Sequence, residues 1–185
     1  MPPATHLAEL EAFNQRARSR GWPFACAPAL DFERCELGAA LALWREKARG
    51  RAMPARTDMT ARAMKPYMTH MSLLERVPAG EGHRYRVRLH GSTLARYSGD
   101  GTGKFLEDVV QAERVAGYAA VYDLVLELLQ PLRVLSSYQA PEISYLTGES
   151  LVAPLALAGS DMPLILSVTY PKPRAERAAG ALRHA

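Results

Sequence analysis

Cysteine is scarce in this chain: 185 residues contain two, Cys26 and Cys35. They are not spaced like zinc ligands and no second pair lies elsewhere, which excludes a disulfide scaffold or a zinc ribbon. Both are expected to be free thiols, packed as small apolar groups in a reducing compartment. Long apolar runs are also missing, none approaching the roughly eighteen residues a membrane helix needs. The first residues, Met1-Pro-Pro-Ala-Thr-His6, lack the basic-then-apolar order of a secretory signal. A cytoplasmic protein with no membrane attachment is therefore expected. No Ser–His–Asp or metal-ligand arrangement stands out, and Asp123 and Glu127 read as the polar stripe of a helix, so no catalysis is expected.

The composition present is that of an ordinary globular domain, 48% hydrophobic and 23% charged. Net charge is +4, with a pI near 9.2. Much of the excess lies between Arg45 and Lys65 and in the last fifteen residues. A basic stretch can hold phosphates, but no aromatics interleave these arginines, so a solvated helix face is expected and nucleic acid is not. Whether Arg45–Lys65 meets an anionic partner stays open at this level.

Periodicity orders the elements. Residues 5–20 carry an apolar stripe of Leu7, Leu10 and Phe13 and read as a helix, ended by Gly21. An irregular connector follows to residue 32. A second helix is expected over 33–48, with Leu37, Ala40, Leu41 and Trp44 at helical spacing. Thr60 or Asp58 caps a short helix to Met64, and Pro66 marks a change to extended chain, predicting a strand over 67–77. Tyr85, Val87 and Leu89 alternate with Arg84, Arg86, Arg88 and His90, a strand of period two, expected to pair with the one before it as an antiparallel hairpin through a longer loop at Pro78-Ala-Gly-Glu-Gly82. Ser92–Tyr97 reads as a short helix, Gly99-Asp-Gly-Thr-Gly103 as a tight turn using glycine's freedom at positive φ, and a second short helix starts near Phe105. The longest helix is expected over 111–130, with Val115, Tyr118, Tyr122, Val125 and Leu129 on a wide apolar face. Strands over 132–139, 148–158 and 164–170 complete the chain. Helices, two strands, short helices, a long helix and three strands make an α+β domain with an antiparallel sheet.

Several landmarks go further: Leu43-Trp44-Arg45, Met53-Pro-Ala-Arg-Thr-Asp58, Tyr85-Arg-Val-Arg-Leu-His-Gly91, Thr93-Leu94, Gly99-Asp-Gly-Thr-Gly103 and Ala153-Pro-Leu155. With this element order the chain resembles a family of stand-alone bacterial PAS-like proteins common in alphaproteobacteria. The resemblance covers about residues 40–171. It implies a PAS-like five-stranded antiparallel sheet with short central helices and one long helix enclosing a pocket. The expected division is an N-terminal helix and connector (1–32), the PAS-like domain (33–171) and a flexible basic tail (172–185). It implies sensing or signalling through an unidentified small molecule or protein partner, and no enzyme activity. The alternative is an interaction module with a filled pocket, acting on an anionic partner through its basic surface.

The cofactor expected of such a domain is unknown. A flavin bound through a thiol needs a cysteine near the first short helices, and none lies between residues 83 and 130. The common haem type needs a histidine on the long helix, and residues 111–130 have none. Candidate pocket residues are Arg88, Tyr97, Phe105, Tyr118, Tyr122 and Tyr138, tyrosine offering a flat apolar body with one polar tip. Arg84, Arg86 and Arg88 need partners if buried, and Glu75 is a cross-strand candidate. The stripe of Leu7, Leu10 and Phe13 is expected to exceed what the PAS core can cover, which predicts a homodimer through the first helix. No kinase, cyclase or DNA-binding module is recognisable, so a signal is expected to leave through a partner or the terminal helices.

Overall fold

The structure is a computed structural model and describes residues 4–137 and 146–173. The helices are α1 (Ala4–Ser19), α2 (Cys35–Ala48), α3 (Ala61–Met64), α4 (Ser92–Ser98) and α5 (Ala112–Leu128). The strands are β1 (Phe24–Cys26), β2 (Met71–Ala79), β3 (Gly82–His90), β4 (Leu132–Ser137), β5 (Leu146–Leu155) and β6 (Leu164–Pro173). The strands form an open antiparallel sheet of six, in the order β1-β4-β5-β6-β2-β3. The expected α+β architecture is present with one strand more than expected. That strand is β1, from the segment read as irregular connector, and its Cys26 pairs with Val134 on β4.

Two other elements differ from the sequence reading. Pro66 does not open a strand. It sits in the first turn of a 3₁₀ segment, Lys65–His70, where its missing N–H costs nothing and its fixed φ suits the turn. The strand begins only at Met71. The β2–β3 hairpin is also tighter than expected, because Ala79 faces Gly82 and Gly80 turns the chain at φ 58°. The expected tail lies outside the described residues beyond 173, while Lys172 still belongs to β6.

The sheet is covered on both faces, and alternation along each strand sorts the side chains. Leu164, Leu166, Val168 and Tyr170 of β6, with Leu151, Ala153 and Leu155 of β5, join Leu37, Leu41 and Trp44 of α2. On the opposite face Leu74, Val87, Leu132, Val134, Val152 and Ile165 meet Val121, Tyr122 and Val125 of α5. With both faces buried, the central strands lose the solvent-facing alternation of a one-sided sheet. The Trp44 indole N–H donates to the Pro154 carbonyl at 2.9 Å, tying α2 to β5.

The N-terminal extension is part of this core. Leu10 and Phe13 are buried at 3% and 1% exposure, within the cluster around α5. Leu7 beside them is half-buried. The stripe is thus satisfied inside the chain, which removes the reason for assigning it to a homodimer contact. Asn14 reinforces the docking: its Nδ2 donates to the Cys26 carbonyl at 2.8 Å, and its Oδ1 accepts from the Cys26 N–H at 2.7 Å. Gly117 lets α5 approach, since a Cβ there would lie 2.7 Å from the Phe24 ring.

One charged network sits on the α2 side of the sheet. Glu149 on β5 is fully buried. Its carboxylate accepts from Arg133 Nε at 2.7 Å and from the backbone N–H groups of Glu33 and Arg34 at 3.0 and 3.1 Å. These N–H groups immediately precede α2, whose cap residue Arg34 makes no side-chain cap of its own. Glu149 therefore supplies from the sheet the capping that α2 lacks locally. Arg133 extends the network to Asp31 at 2.8 Å.

Three substitutions test this packing. Glu149→Gln removes the buried carboxylate that faces Arg133 Nε and leaves Arg133 its outer partner Asp31, and the urea unfolding midpoint should drop by an amount equivalent to about 1–3 kcal/mol. Replacing both residues by Arg133→Met and Glu149→Leu should not restore wild-type stability, because the N–H groups of Glu33 and Arg34 stay uncapped. Leu10→Ala should cost about 2–5 kcal/mol through the cavity it leaves. Its mass by light scattering should equal that of the wild type, since Leu10 is used within the chain.

Candidate functional site

Between α5, α4 and the sheet lies a cavity of about 320 Å³. Its position follows from side-chain choice. Where the face of the sheet under α5 could carry more aliphatics, it instead carries Ser72, Ser167 and Thr169. Short hydroxyl side chains do not fill the height between sheet and helix. The hydroxyls form a band across neighbouring strands. Ser72 on β2 faces Ser167 on β6, and Thr169 on β6 faces Ser150 on β5. Thr169 Oγ1 lies 2.8 Å from Ser150 Oγ and 3.4 Å from Ser167 Oγ. A smaller void of about 30 Å³ continues the band to Ser150 and Ser136, and shares Tyr118, Tyr122, Ser167 and Thr169 with the main cavity.

The roof comes from α5. Arg114, Tyr118 and Tyr122 follow one another at four-residue spacing and line the cavity, as helical periodicity requires. Tyr122 packs edge-on against Tyr85 with ring centroids 5.2 Å apart, and Tyr118 packs edge-on against Phe24 at 4.6 Å. Burial raises both hydroxyls well above the usual phenol range, so they remain neutral donors. Arg114 is 7% exposed. Its guanidinium carbon lies 5.6 Å from the Phe24 ring centroid and 5.5 Å from that of Tyr118, within range of cation–π attraction.

The rim is made by α4 and the segment before α5. Leu94, Tyr97 and Ser98 come from α4, and Leu106, Val109, Val110 and Gln111 from the following stretch. The turn between them uses the glycine freedom expected of it, with φ of 76° at Gly99 and 82° at Gly103. Asp100 Oδ1 accepts from the Thr102 N–H at 2.9 Å within this turn. His90 closes one end, its Nδ1 3.0 Å from Ser72 Oγ and its Nε2 3.0 Å from Ser98 Oγ. Burial pushes the His90 pKa down, opposed in part by the Asp100 carboxylate.

The structure brings together some of the expected pocket residues and separates others. Tyr118, Tyr122 and Tyr97 line the cavity, Tyr97 from a rim position that leaves it 41% exposed. Arg88 points away from it. It is exposed on the edge strand, with Nη1 2.9 Å from Glu75 Oε2, and Arg86 pairs with the same carboxylate. These are the cross-strand pairs anticipated for Glu75. Phe105 also lies outside the cavity lining. It bridges Arg86 on the β3 edge, and the Arg84 guanidinium stacks 3.6 Å from its ring centroid. The expectation for Tyr138 falls outside the described residues.

The residues missed were Arg114, His90 and the hydroxyl band. The spacing 114–118–122 put Arg114 on the tyrosine stripe, and that signal was present in the sequence. Among the described residues, no group of three His, Cys, Asp or Glu side chains comes together as a metal site. No helix among them is long and apolar enough to cross a membrane. Cys26 is buried, and burial pushes its thiol up to about 12, whereas Cys35 is exposed. In the basic stretch, Lys47 pairs with Glu46, Arg51 with Asp58, and Arg56 donates to the Met59 carbonyl.

The cavity is thus lined by β2, β3 and β6 of the antiparallel sheet, beneath α4 and α5. The family model described as PAS domain matches residues 35–169, and the chain belongs to the PAS domain family. No curated protein matches the sequence. The family match begins at α2, so α1 and β1, including the Phe24 wall of the smaller void, lie outside it.

His90 generates a pH prediction. A histidine whose folded pKa is depressed binds fewer protons than in the unfolded chain, so stability should fall as pH drops below the ordinary value of 6.5. The loss should level off once pH is below the folded value. Urea unfolding from pH 7.5 to 5 should show this slope in the wild type and a reduced slope in His90→Gln.

Proposed function

We propose that this PAS domain is a sensory module that takes a small molecule into the cavity beneath α5 and signals through a protein partner in the cytoplasm. The single observation that carries this reading is the cavity itself: about 320 Å³, floored by hydroxyls and roofed by Arg114, Tyr118 and Tyr122. Small-molecule sites combine mostly apolar walls with a few placed polar groups, and volumes of this order are typical of them. The proposal assigns binding and no catalytic step.

The route outward runs through the extension. Arg114 lies against the Phe24 ring, Phe24 belongs to β1, and Asn14 of α1 is bonded at both its amide atoms to Cys26. A ligand that draws the guanidinium toward itself weakens its hold on Phe24. Such a ligand favours one of two placements of the α1–β1 unit, in proportion to its differential affinity for them. Homodimerisation through α1 is not part of the proposal, because Leu10 and Phe13 are already buried in the core. The alternative, a filled domain acting through its basic surface, is less well supported. The cavity has room, and several cations of the 45–65 stretch already have partners within the chain.

Native mass spectrometry of protein purified from its own host tests the reading. A bound small-molecule mass that is lost on denaturation is expected in the wild type. It should be absent from Ser167→Phe, which fills the cavity floor while circular dichroism confirms folding. A ligand mass retained by folded Ser167→Phe would place binding elsewhere.

A further inference from the structure

We propose that the ligand is a small organic acid: a flat ring or short apolar body bearing one carboxylate, with the carboxylate held by Arg114. This rests on the ligand-binding reading above and names the chemistry that the cavity selects.

Size comes first. An engineered protein cavity of about 150 Å³ admits benzene, and the volume here is about 320 Å³. A ring with a short side chain, or two fused rings, fits that space. The apolar part has its own lining in Leu74, Val87 and Leu106, with Tyr118 and Tyr122 as flat walls.

Charge decides the class. Among the described residues that line the cavity there is no Asp or Glu, and Arg114 is the one permanent charge. At 7% exposure its charge is largely withdrawn from water, so it acts through a lower dielectric and attracts an anion more strongly than a surface arginine would. Its guanidinium lies near the Phe24 and Tyr118 rings, which restrains the group and makes its fork of donors more rigid for bidentate pairing with a carboxylate. Gln111, the residue that precedes the 17-residue helix α5, also lines the cavity. The positive end of that helix dipole therefore adds to the same potential.

The hydroxyls of Ser72, Ser167 and Thr169 can donate or accept, so they suit a polar substituent on the ligand body without adding a further charge requirement.

The test uses the full chain and three probes of matched shape in isothermal titration calorimetry: indole-3-acetate, its neutral amide indole-3-acetamide, and indole. The acid should bind at least tenfold more tightly than the amide. In Arg114→Gln that preference should vanish while amide affinity is unchanged, and Arg114→Lys, which keeps the charge, should retain part of it. Thermal melts check that each variant is folded. If Arg114→Gln fails to fold, Arg114→Lys and the wild-type acid-to-amide ratio decide. Amide and indole binding as tightly as the acid would overturn the acid class and leave the cavity reading intact. Binding of none of the three would overturn the acid class and count against the cavity reading as well.

Discussion

The buried carboxylate of Glu149 is the constraint on which the arrangement of layers depends. It lies on the central strand β5 and is fully withdrawn from solvent. A buried charge is tolerated only with a full set of partners. It meets that condition with Arg133 on the neighbouring strand and the two N–H groups leading into α2. Three distant pieces of chain are thereby registered at one point. Once α2 is held there, the aliphatic face of the sheet is covered by Leu37, Leu41 and Trp44. That layer supplies the packing that lets the other face give up some of its own.

The other face does give some up. Ser72, Ser167, Thr169, Ser150 and Ser136 occupy inward positions that a sheet built only for stability would fill with larger apolar groups. The lost contacts are partly offset by hydroxyl–hydroxyl bonds within the band. What remains is a space whose shape is set by two rigid elements, the twisted sheet and the 17-residue helix α5. Its chemistry is set by a few side chains. Sites carried on helices and strands hold their geometry better than sites on loops, and Arg114, Tyr118 and Tyr122 all stand on one helix face.

The extension gives this domain a feature beyond the family match. α1 and β1 are integrated into the same core as α5, with Phe13 at 1% exposure and Phe24 at 6%. Phe24 is at once a sheet residue, a wall of the smaller void and a neighbour of the Arg114 guanidinium. A second hydrogen-bonded line leads from the roof to the surface. The Tyr85 hydroxyl donates to Asp123 Oδ1 at 2.6 Å, and His83 Nε2 lies 2.9 Å from the same oxygen. Arg76 Nη2 then donates to His83 Nδ1 at 3.0 Å. Changes at Tyr122, which packs on Tyr85, thus have polar as well as apolar neighbours through which to be felt.

Periodicity and composition by themselves determined the α+β class, the order of the elements apart from β1 and the 3₁₀ segment before β2, the inward Tyr85 and Val87 against the outward Arg86 and Arg88, and the tyrosine stripe of α5. These are local properties, set by the periods of two and 3.6 within single elements. Only the tertiary structure decided the pairing of β1 with β4, the burial of Leu10 and Phe13 within the chain, and the exclusion of Arg88 and Phe105 from the cavity. It also decided that Arg114, Arg133 and Glu149 are buried. A charged residue next to an apolar stripe reads as solvent-facing unless its partners are known. For Glu149 those partners lie 16, 115 and 116 residues away along the chain. Whether a charge goes inside depends on what folding brings to meet it, and no local period encodes a meeting at that range.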